Sequence, residues 1–139
     1  MIEGKKFIEI VKQYYSFLET EFNFKKVNEI INGNAFYDVE FKDKEKVVSI
    51  SYENIENHLE IIIFILQEGQ MPDYDDKTKT LHLSQMSAQV LSKIDRNEIH
   101  INNEFFVNIN VEDELEKKLL KRAKELRLCL KHFKNILEA

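Results

Sequence analysis

The chain has few of the residues that build covalent or phosphate-binding sites. Its 139 residues include one cysteine, one proline and three glycines. Because Cys129 has no second cysteine to pair with, an internal disulfide is excluded and a reducing compartment is favoured. So few glycines make a phosphate-cradling loop hard to build, and no GxGxxG, P-loop or GxSxG motif occurs. These absences argue against nucleotide chemistry and serine-hydrolase chemistry.

Long hydrophobic runs are also missing. The longest has six residues, Ile61–Leu66, whereas a membrane span needs about 20. The first seven residues lack the apolar segment of a secretory signal. With 43% hydrophobic and 32% charged residues, the composition is that of a globular chain. We therefore expect one cytoplasmic domain that spans residues 1–139.

Positive charge is absent from one long stretch. Residues 47–76 contain no Lys or Arg but seven acids. Over the whole chain the net charge is -5, divided as -7 in residues 1–111 and +2 in residues 112–138. An acidic body repels phosphate backbones, so nucleic acid is not expected as a partner. The basic C-terminal residues alternate with Glu116 and Glu125, which is typical of a solvated helix face.

The spacing of apolar residues predicts an α+β fold. Three- and four-residue steps indicate a helix over about 5–21. Period-two alternation indicates strands at Tyr37–Phe41 and Val48–Tyr52, while Leu59–Gln67 is the most apolar strand and 25–31 a shorter one. Short turns between successive strands predict an antiparallel meander packed against the N-terminal helix and a long C-terminal helix. A loop follows over 68–80.

The second half of the chain is predicted to be largely helical. Ser84 is placed to cap a helix whose inner face carries Met86, Val90, Leu91 and Ile94. For residues 95–110 two interpretations stay open, a hairpin around Asn102–Asn103 or an irregular loop. The C-terminal helix is predicted over about 112–137. Its apolar stripe consists of Leu115, Leu119, Ala123, Leu126, Leu130, Phe133 and Leu137.

No spacing of histidines, cysteines or acids indicates a metal or catalytic centre. The histidines at 58, 82, 100 and 132 fit neither HxH nor HExxH. Cys129 adjoins the apolar stripe and is expected to be a packed thiol. No acid stands in an apolar setting that would raise its pKa. We therefore expect a protein that is not an enzyme and has no cofactor. The alternative is a small-ligand binder or enzyme with a pocket between sheet and helices, where Tyr14, Tyr52 or His58 supplies polar groups.

The most apolar strand carries apolar side chains on both faces. Leu59, Ile61, Ile63 and Ile65 alternate with Ile62, Phe64 and Leu66. Such a strand is usually central in a sheet and covered on both sides. The alternative is an exposed apolar strip rimmed by acids, which would mark an interface and allow a homodimer through Ile62, Phe64 and Leu66.

Within residues 47–76 the acidic residues adjoin the most apolar strand. Such a surface suits a basic protein partner better than a membrane or nucleic acid. Two acidic turns and one acidic loop border the same strand, and Tyr74 is a candidate for the aromatic anchor that interfaces favour. The predicted partner-binding residues are Glu53, Glu56, Glu60, Glu68, Asp73, Tyr74, Asp75 and Asp76.

The layout as a whole resembles a known type of protein. An N-terminal helix precedes a small meander (Tyr37–Phe41, Val48–Tyr52, Leu59–Leu66), an acidic loop and a long closing helix that ends with Leu130–Leu137. This order resembles the small acidic immunity proteins of bacterial polymorphic-toxin and contact-inhibition systems. The resemblance implies a cytoplasmic, non-enzymatic inhibitor that covers the basic active site of a toxin.

Overall fold

The computed structural model describes residues 1–134 and has an α+β fold, as the sequence predicts. Two helices precede a five-stranded antiparallel sheet and three helices follow it. The helices before the sheet are α1 (Gly4–Tyr14) and α2 (Phe17–Thr20). The strands are β1 (Lys25–Asn32), β2 (Phe36–Lys42), β3 (Lys46–Glu53), β4 (His58–Ile65) and β5 (Thr80–His82). The last helices are α3 (Leu83–Leu91), α4 (Arg96–Phe105) and α5 (Glu114–Lys131).

The chain divides into two compact units. Unit 1 is Met1–His82 and contains the sheet with α1 and α2. Unit 2 is Leu83–Ala139, in which α5 packs against α3 and α4. Unit 1 has sixteen acids against ten Lys and Arg, whereas unit 2 has nine against ten. The negative charge of the protein therefore belongs to unit 1. That residues 1–139 form one domain stays a prediction.

The sheet of unit 1 is a meander in the order β1-β2-β3-β4-β5, and every neighbouring pair is antiparallel. Its register places Val39 opposite Ile50, and Ile50 opposite Ile61. Because side chains alternate between faces, these three residues share one face. Together with the buried helix residues Phe7, Val11 and Leu18 they belong to the core, and α1 contacts β2.

The N-terminal helix is interrupted, whereas the sequence predicts one helix over 5–21. It ends at Tyr14 and resumes at Phe17. Tyr15, Phe17 and Leu18 are all fully buried. On a straight α-helix, with about 100° of rotation per residue, Phe17 would point about 160° away from Tyr15. The break lets all of them reach the interior.

Gly4 begins α1 because the helix start approaches the sheet closely. A Cβ atom at this position would lie 2.8 Å from Cγ2 of Ile31 and 3.0 Å from Cε1 of Tyr37. The neighbouring backbone is tied to the same region, since Tyr37 donates its hydroxyl to the Ile2 carbonyl at 2.8 Å. The amide nitrogen of Asn54 lies 3.1 Å from the same carbonyl.

Strand β4 is covered on both faces. Ile61 and Ile63 are 3% and 0% exposed, while Ile62 and Phe64 on the opposite face are 6% and 9% exposed. The last two form a second apolar cluster with Val47, against which Leu66 packs. The alternative interpretation of an exposed apolar strip is therefore wrong. A homodimer through these residues stays a prediction, and its formation would first have to uncover Ile62 and Phe64.

Residues 95–110 form neither a hairpin nor an irregular loop, because Arg96–Phe105 is helical. Asp95 caps this helix by accepting a hydrogen bond from the Asn97 amide at 3.0 Å. On the inner side Asn102 is 1% exposed and donates to the Lys124 carbonyl at 3.0 Å. The alternating Ile99 and Ile101 suggested a strand, but the cap and the buried amide specify a helix.

The two other helices of unit 2 agree with the predicted stretches in most respects. Helix α3 begins at Leu83, so Ser84 lies inside it and is not its cap, and Leu91 and Ile94 are only half-buried. Helix α5 is capped by Asp113, which accepts from the Glu116 amide at 2.8 Å. Leu137 lies outside the described residues. Cys129 is a packed thiol as expected, since burial raises its pKa to about 12, with the charge of Glu125 as a lesser cause.

Candidate partner-binding site

Most of the predicted acidic residues lie before or after β4, and Glu60 lies within this strand. The turn that carries Glu53 and Glu56 precedes His58, and the loop that carries Glu68 follows Ile65. Seven strand steps separate His58 from Ile65, a distance of about 23 Å. The structure therefore divides the predicted site into an acidic turn (residues 53–57) and an acidic loop (residues 66–79).

The acidic turn is held by its own hydrogen bonds. Glu53 accepts from the Glu56 amide at 3.2 Å, and Tyr52 donates its hydroxyl to Asn57 Oδ1 at 2.8 Å. Asn57 has a positive φ of 55°, a conformation that asparagine tolerates better than most residues. Glu53 is half-buried here and Glu56 is exposed. Of the two acids in this turn, Glu56 is the exposed one.

The acidic loop begins with a tight turn. The backbones of Gln67 and Gln70 exchange two hydrogen bonds of 2.9 Å. Between them Glu68 and Gly69 have φ values of 51° and 79°. Two central residues with positive φ are what a type I′ hairpin turn requires. The turn leaves the Glu68 side chain exposed.

The second half of the acidic loop is organised by Asp76. Its carboxylate accepts from the Thr78 amide at 3.0 Å and from the Thr78 hydroxyl at 2.6 Å. These two bonds are the main reason why the pKa of Asp76 lies below its ordinary value. The Thr80 hydroxyl adds a bond of 2.9 Å to the Asp73 carbonyl. Although predicted without secondary structure, the loop is thus internally hydrogen-bonded, and Asp76 holds it together.

Tyr74 and Glu60 are linked through a histidine that the sequence did not single out as a site residue. The ring of Tyr74 lies edge-on to His82 with centroids 5.9 Å apart. Nδ1 of His82 is 2.7 Å from Oε1 of Glu60, and Nε2 of His58 is 3.6 Å from Oε2 of Glu60. Tyr74 remains 60% exposed. The acidic loop is therefore anchored to the middle of the sheet edge, with a tyrosine on its outer surface.

The remaining acids of the predicted site have no ionic partner among residues 1–134. They are Glu56, Glu68, Asp73 and Asp75, and all four are exposed. Asp73 and Asp75 flank Tyr74, and Met71 beside them is 50% exposed. An ordered loop that presents an aromatic ring, a methionine and unpaired carboxylates has the composition of an interface anchor.

A buried acid was missed by the sequence analysis. Asp38 is 7% exposed and accepts from the Ser49 hydroxyl at 2.7 Å. Burial raises its pKa to about 6, the Ser49 bond acting in the opposite direction and the charge of Glu40 in the same one. The expectation that no acid has a burial-raised pKa is therefore wrong. Asp38 alternates with the apolar Tyr37 and Val39, so it lies on the opposite face of β2, and that face is covered at this position as well.

Tyr14, Tyr52 and His58, which were predicted to supply polar groups to a ligand pocket, do not line a common cavity. Tyr14 and Tyr52 are 3% and 5% exposed and belong to the core. His58 is an exposed residue at the start of β4. A cavity of about 620 Å³ in unit 1 has none of the three in its lining.

Within residues 1–134 no group of three or more His, Cys, Asp and Glu side chains is arranged to hold a metal ion. None of the helices in this part of the chain combines the length and apolarity that crossing a membrane requires. Comparison with family models, curated proteins and solved structures gave no match to this chain.

Proposed function

We propose that this protein is a non-catalytic binding protein whose acidic loop takes a basic protein partner. The observation that carries the proposal is the presentation of Tyr74 between Asp73 and Asp75, all three exposed on a loop fixed by its own hydrogen bonds. A fixed loop loses little conformational entropy when it binds, which favours affinity. Unpaired carboxylates accelerate encounter with a basic surface.

The partner class that fits best is a basic toxin, and the protein then acts as its immunity protein. Three observations support this class: unit 1 is strongly acidic, the acids that face solvent on the loop have no ionic partner within residues 1–134, and the chain layout resembles small acidic immunity proteins. In this role the acidic loop covers a cationic active site, and no chemistry is required of the inhibitor itself. A cytoplasmic location is part of the same proposal.

The test uses the protein encoded by the reading frame next to the gene of this chain. Association kinetics with that protein are measured at low and at physiological salt. The double variant Asp73→Lys/Asp75→Lys should associate about tenfold more slowly at low salt, and its rate should depend less on salt. Asp76 is left intact because it holds the loop together.

The matched control is Glu3→Lys/Glu9→Lys, which changes the net charge equally on exposed positions in and before α1. It should slow association far less. Tyr74→Ala should instead accelerate dissociation, because it removes the anchor without changing charge. The proposal fails if no complex forms, or if the loop variant and the control associate at the same rate.

A further inference from the structure

Unit 1 has an open cleft of about 620 Å³ at the end of the sheet where β2 turns into β3. Three segments form its walls: the connection from α2 to β1, the first half of β1 and the β2–β3 turn. Its volume lies within the range of small-molecule sites, about 300–1,000 Å³. The acidic loop contributes no residue to its lining, although the Leu66 amide at the start of that loop donates to the Glu45 carbonyl at 2.8 Å.

Local departures from regular backbone occur around this cleft. Asn23 has a φ of +60°, which is uncommon for a residue other than glycine. A β-bulge between Lys26 and Asn28 interrupts the pairing of β1 with β2. Bulges re-aim side chains and are enriched beside functional sites. Here the bulged residue is Val27, which lines the cleft and is 54% exposed.

The charges of the cleft are arranged against the stability of the sheet. Lys25 and Lys42 lie directly opposite each other in the β1–β2 pairing, and like charges in that position destabilise a sheet. Lys44 adds a third ammonium group from the adjoining turn. Among the described residues none of these three lysines forms an ion pair, in a unit whose net charge is negative. An anion placed between them would remove the repulsion.

Lys46 in the same turn differs from these three lysines because its ammonium group is paired within the protein. It binds Asp43 at 3.0 Å and lies over the ring of Phe24. Asp43 also accepts from the amides of Glu45 and Lys46 at 2.8 and 2.7 Å, so its carboxylate is already engaged in the turn. Glu45 is the other acid in the lining, and no cation pairs with its side chain within residues 1–134. Its charge opposes an incoming anion.

We propose that this cleft binds a small amphipathic anion, an apolar chain or ring that ends in a carboxylate or a phosphate. Lys25, Lys42 and Lys44 take the charged head, and Phe22 and Val27 contact the apolar body. Three point charges suit either head group, because lysine does not impose the planar geometry of an arginine fork. This inference does not depend on the proposed toxin partner.

The test is an NMR titration of the full chain, labelled with ¹⁵N, against decanoate and decyl phosphate below their micelle concentrations. Saturable shifts of the Phe22, Lys25, Val27 and Lys44 amides are expected with at least one of them, and the comparison identifies the preferred head group. Decanamide, which has the same chain without the charge, should bind at least about tenfold more weakly.

Two charge variants give opposite expected outcomes. Lys42→Glu should weaken binding by about tenfold or more and raise the urea midpoint, because it replaces a like-charged cross-strand pair with an opposite one. Glu45→Gln should strengthen binding. Lys6→Glu, on the exposed side of α1, is the matched control and should leave affinity unchanged. Shifts that do not saturate, shifts outside the cleft, or equal affinity for Lys42→Glu and Lys6→Glu would overturn the proposal.

Discussion

The two units of the protein use charge in opposite ways. In unit 2, cations and acids stand three residues apart on one helix and neutralise each other, as in the pairs Arg122–Glu125 at 2.8 Å and Lys117–Glu114 at 3.3 Å. In unit 1 the loop acids Glu68, Asp73 and Asp75 and the cleft lysines Lys25, Lys42 and Lys44 form no ion pair within residues 1–134. Unit 1 therefore presents an acidic set and a basic set of side chains to external partners.

The difference follows from the geometry of the elements. A helix brings residues three and four apart onto the same face, so opposite charges at that spacing meet. A strand sends neighbours to opposite faces, and the loops and turns that join strands carry charges beyond the reach of most strand residues. Charge in the helical unit therefore tends to serve structure. In the sheet unit Lys12, Lys26 and Lys46 are paired as well, with Glu29 or Asp43, whereas Asp73 and Asp75 of the acidic loop form no ion pair within residues 1–134.

A substitution at Asn102 in unit 2 is expected to change the stability of the protein most. Its side chain accepts from the Arg127 guanidinium at 2.7 Å and donates to the Lys124 carbonyl, and both Asn102 and Arg127 are buried. Replacing a buried amide that serves a charged group leaves polar atoms unpaired. Asn102→Ala should therefore lower the free energy of unfolding by about 2–3 kcal/mol.

Urea denaturation followed by circular dichroism measures this change. The control is the adjacent substitution Asn103→Ala. It removes a side chain of the same size from the same helix, but Asn103 is exposed. If the two variants unfold at the same urea concentration, the buried hydrogen bonds of Asn102 do not stabilise unit 2.

A smaller effect of opposite sign is expected in unit 1, at Asp38. Its carboxyl group has a pKa of about 6 in the folded chain against an ordinary 3.8. The folded state therefore holds its proton to higher pH than the unfolded state, and stability is lost as the pH rises from about 4 to 6. Above pH 6 the carboxyl group of Asp38 is ionised while buried, and its full cost lowers the free energy of unfolding. Asp38→Asn should then stabilise the fold, on the order of 1–2 kcal/mol after solvent screening.

The measurement is the difference in unfolding free energy between Asp38→Asn and the unaltered chain from pH 4 to pH 8. It should grow up to about pH 6 and be constant above. Asn can still accept the Ser49 hydroxyl, so the hydrogen bond of 2.7 Å need not be lost. A difference that is independent of pH would mean that Asp38 is not titrating in this range.

The sequence predicts strands better than it predicts the surroundings of their side chains. Alternation located β2 and β3 to within a few residues, because a half-buried strand has a strict period of two, and a continuous apolar run located β4. The same rule assigned Asp38 to solvent. The counter-signal was in β4, where apolar residues on both faces indicated a doubly covered sheet. Which acids share the covered face depends on the register between strands, and a single sequence does not specify that register.

Charge composition located the acidic loop but not the roles of its members. Asp73, Asp75 and Asp76 are alike in the sequence, yet among these three described residues only the carboxylate of Asp76 accepts hydrogen bonds within the loop. The Asp-x-Thr spacing at 76–78 was the available signal, since aspartate often bonds the backbone two residues on. The lysine cleft had no such local signal. Lys25 and Lys42 are seventeen positions apart, and only the pairing of β1 with β2 places them opposite each other.

The smallest effect separates structural from free charge within the acidic loop itself. Asp76→Ala removes both bonds to Thr78, so the amides of Thr78, Lys79 and Thr80 should exchange with solvent faster, whereas Asp75→Ala should leave them unchanged. Global unfolding should be nearly the same in both variants, because the loop lies outside the core.

The same bonds depress the pKa of Asp76. The stabilisation of the loop by its carboxylate is therefore present at neutral pH and is lost as the pH falls through that pKa. The amides of the unaltered chain should then exchange, after correction for the intrinsic rate, as they do in Asp76→Ala. Hydrogen exchange by NMR at two pH values measures both effects, and equal exchange in the two alanine variants would show that the loop does not depend on Asp76.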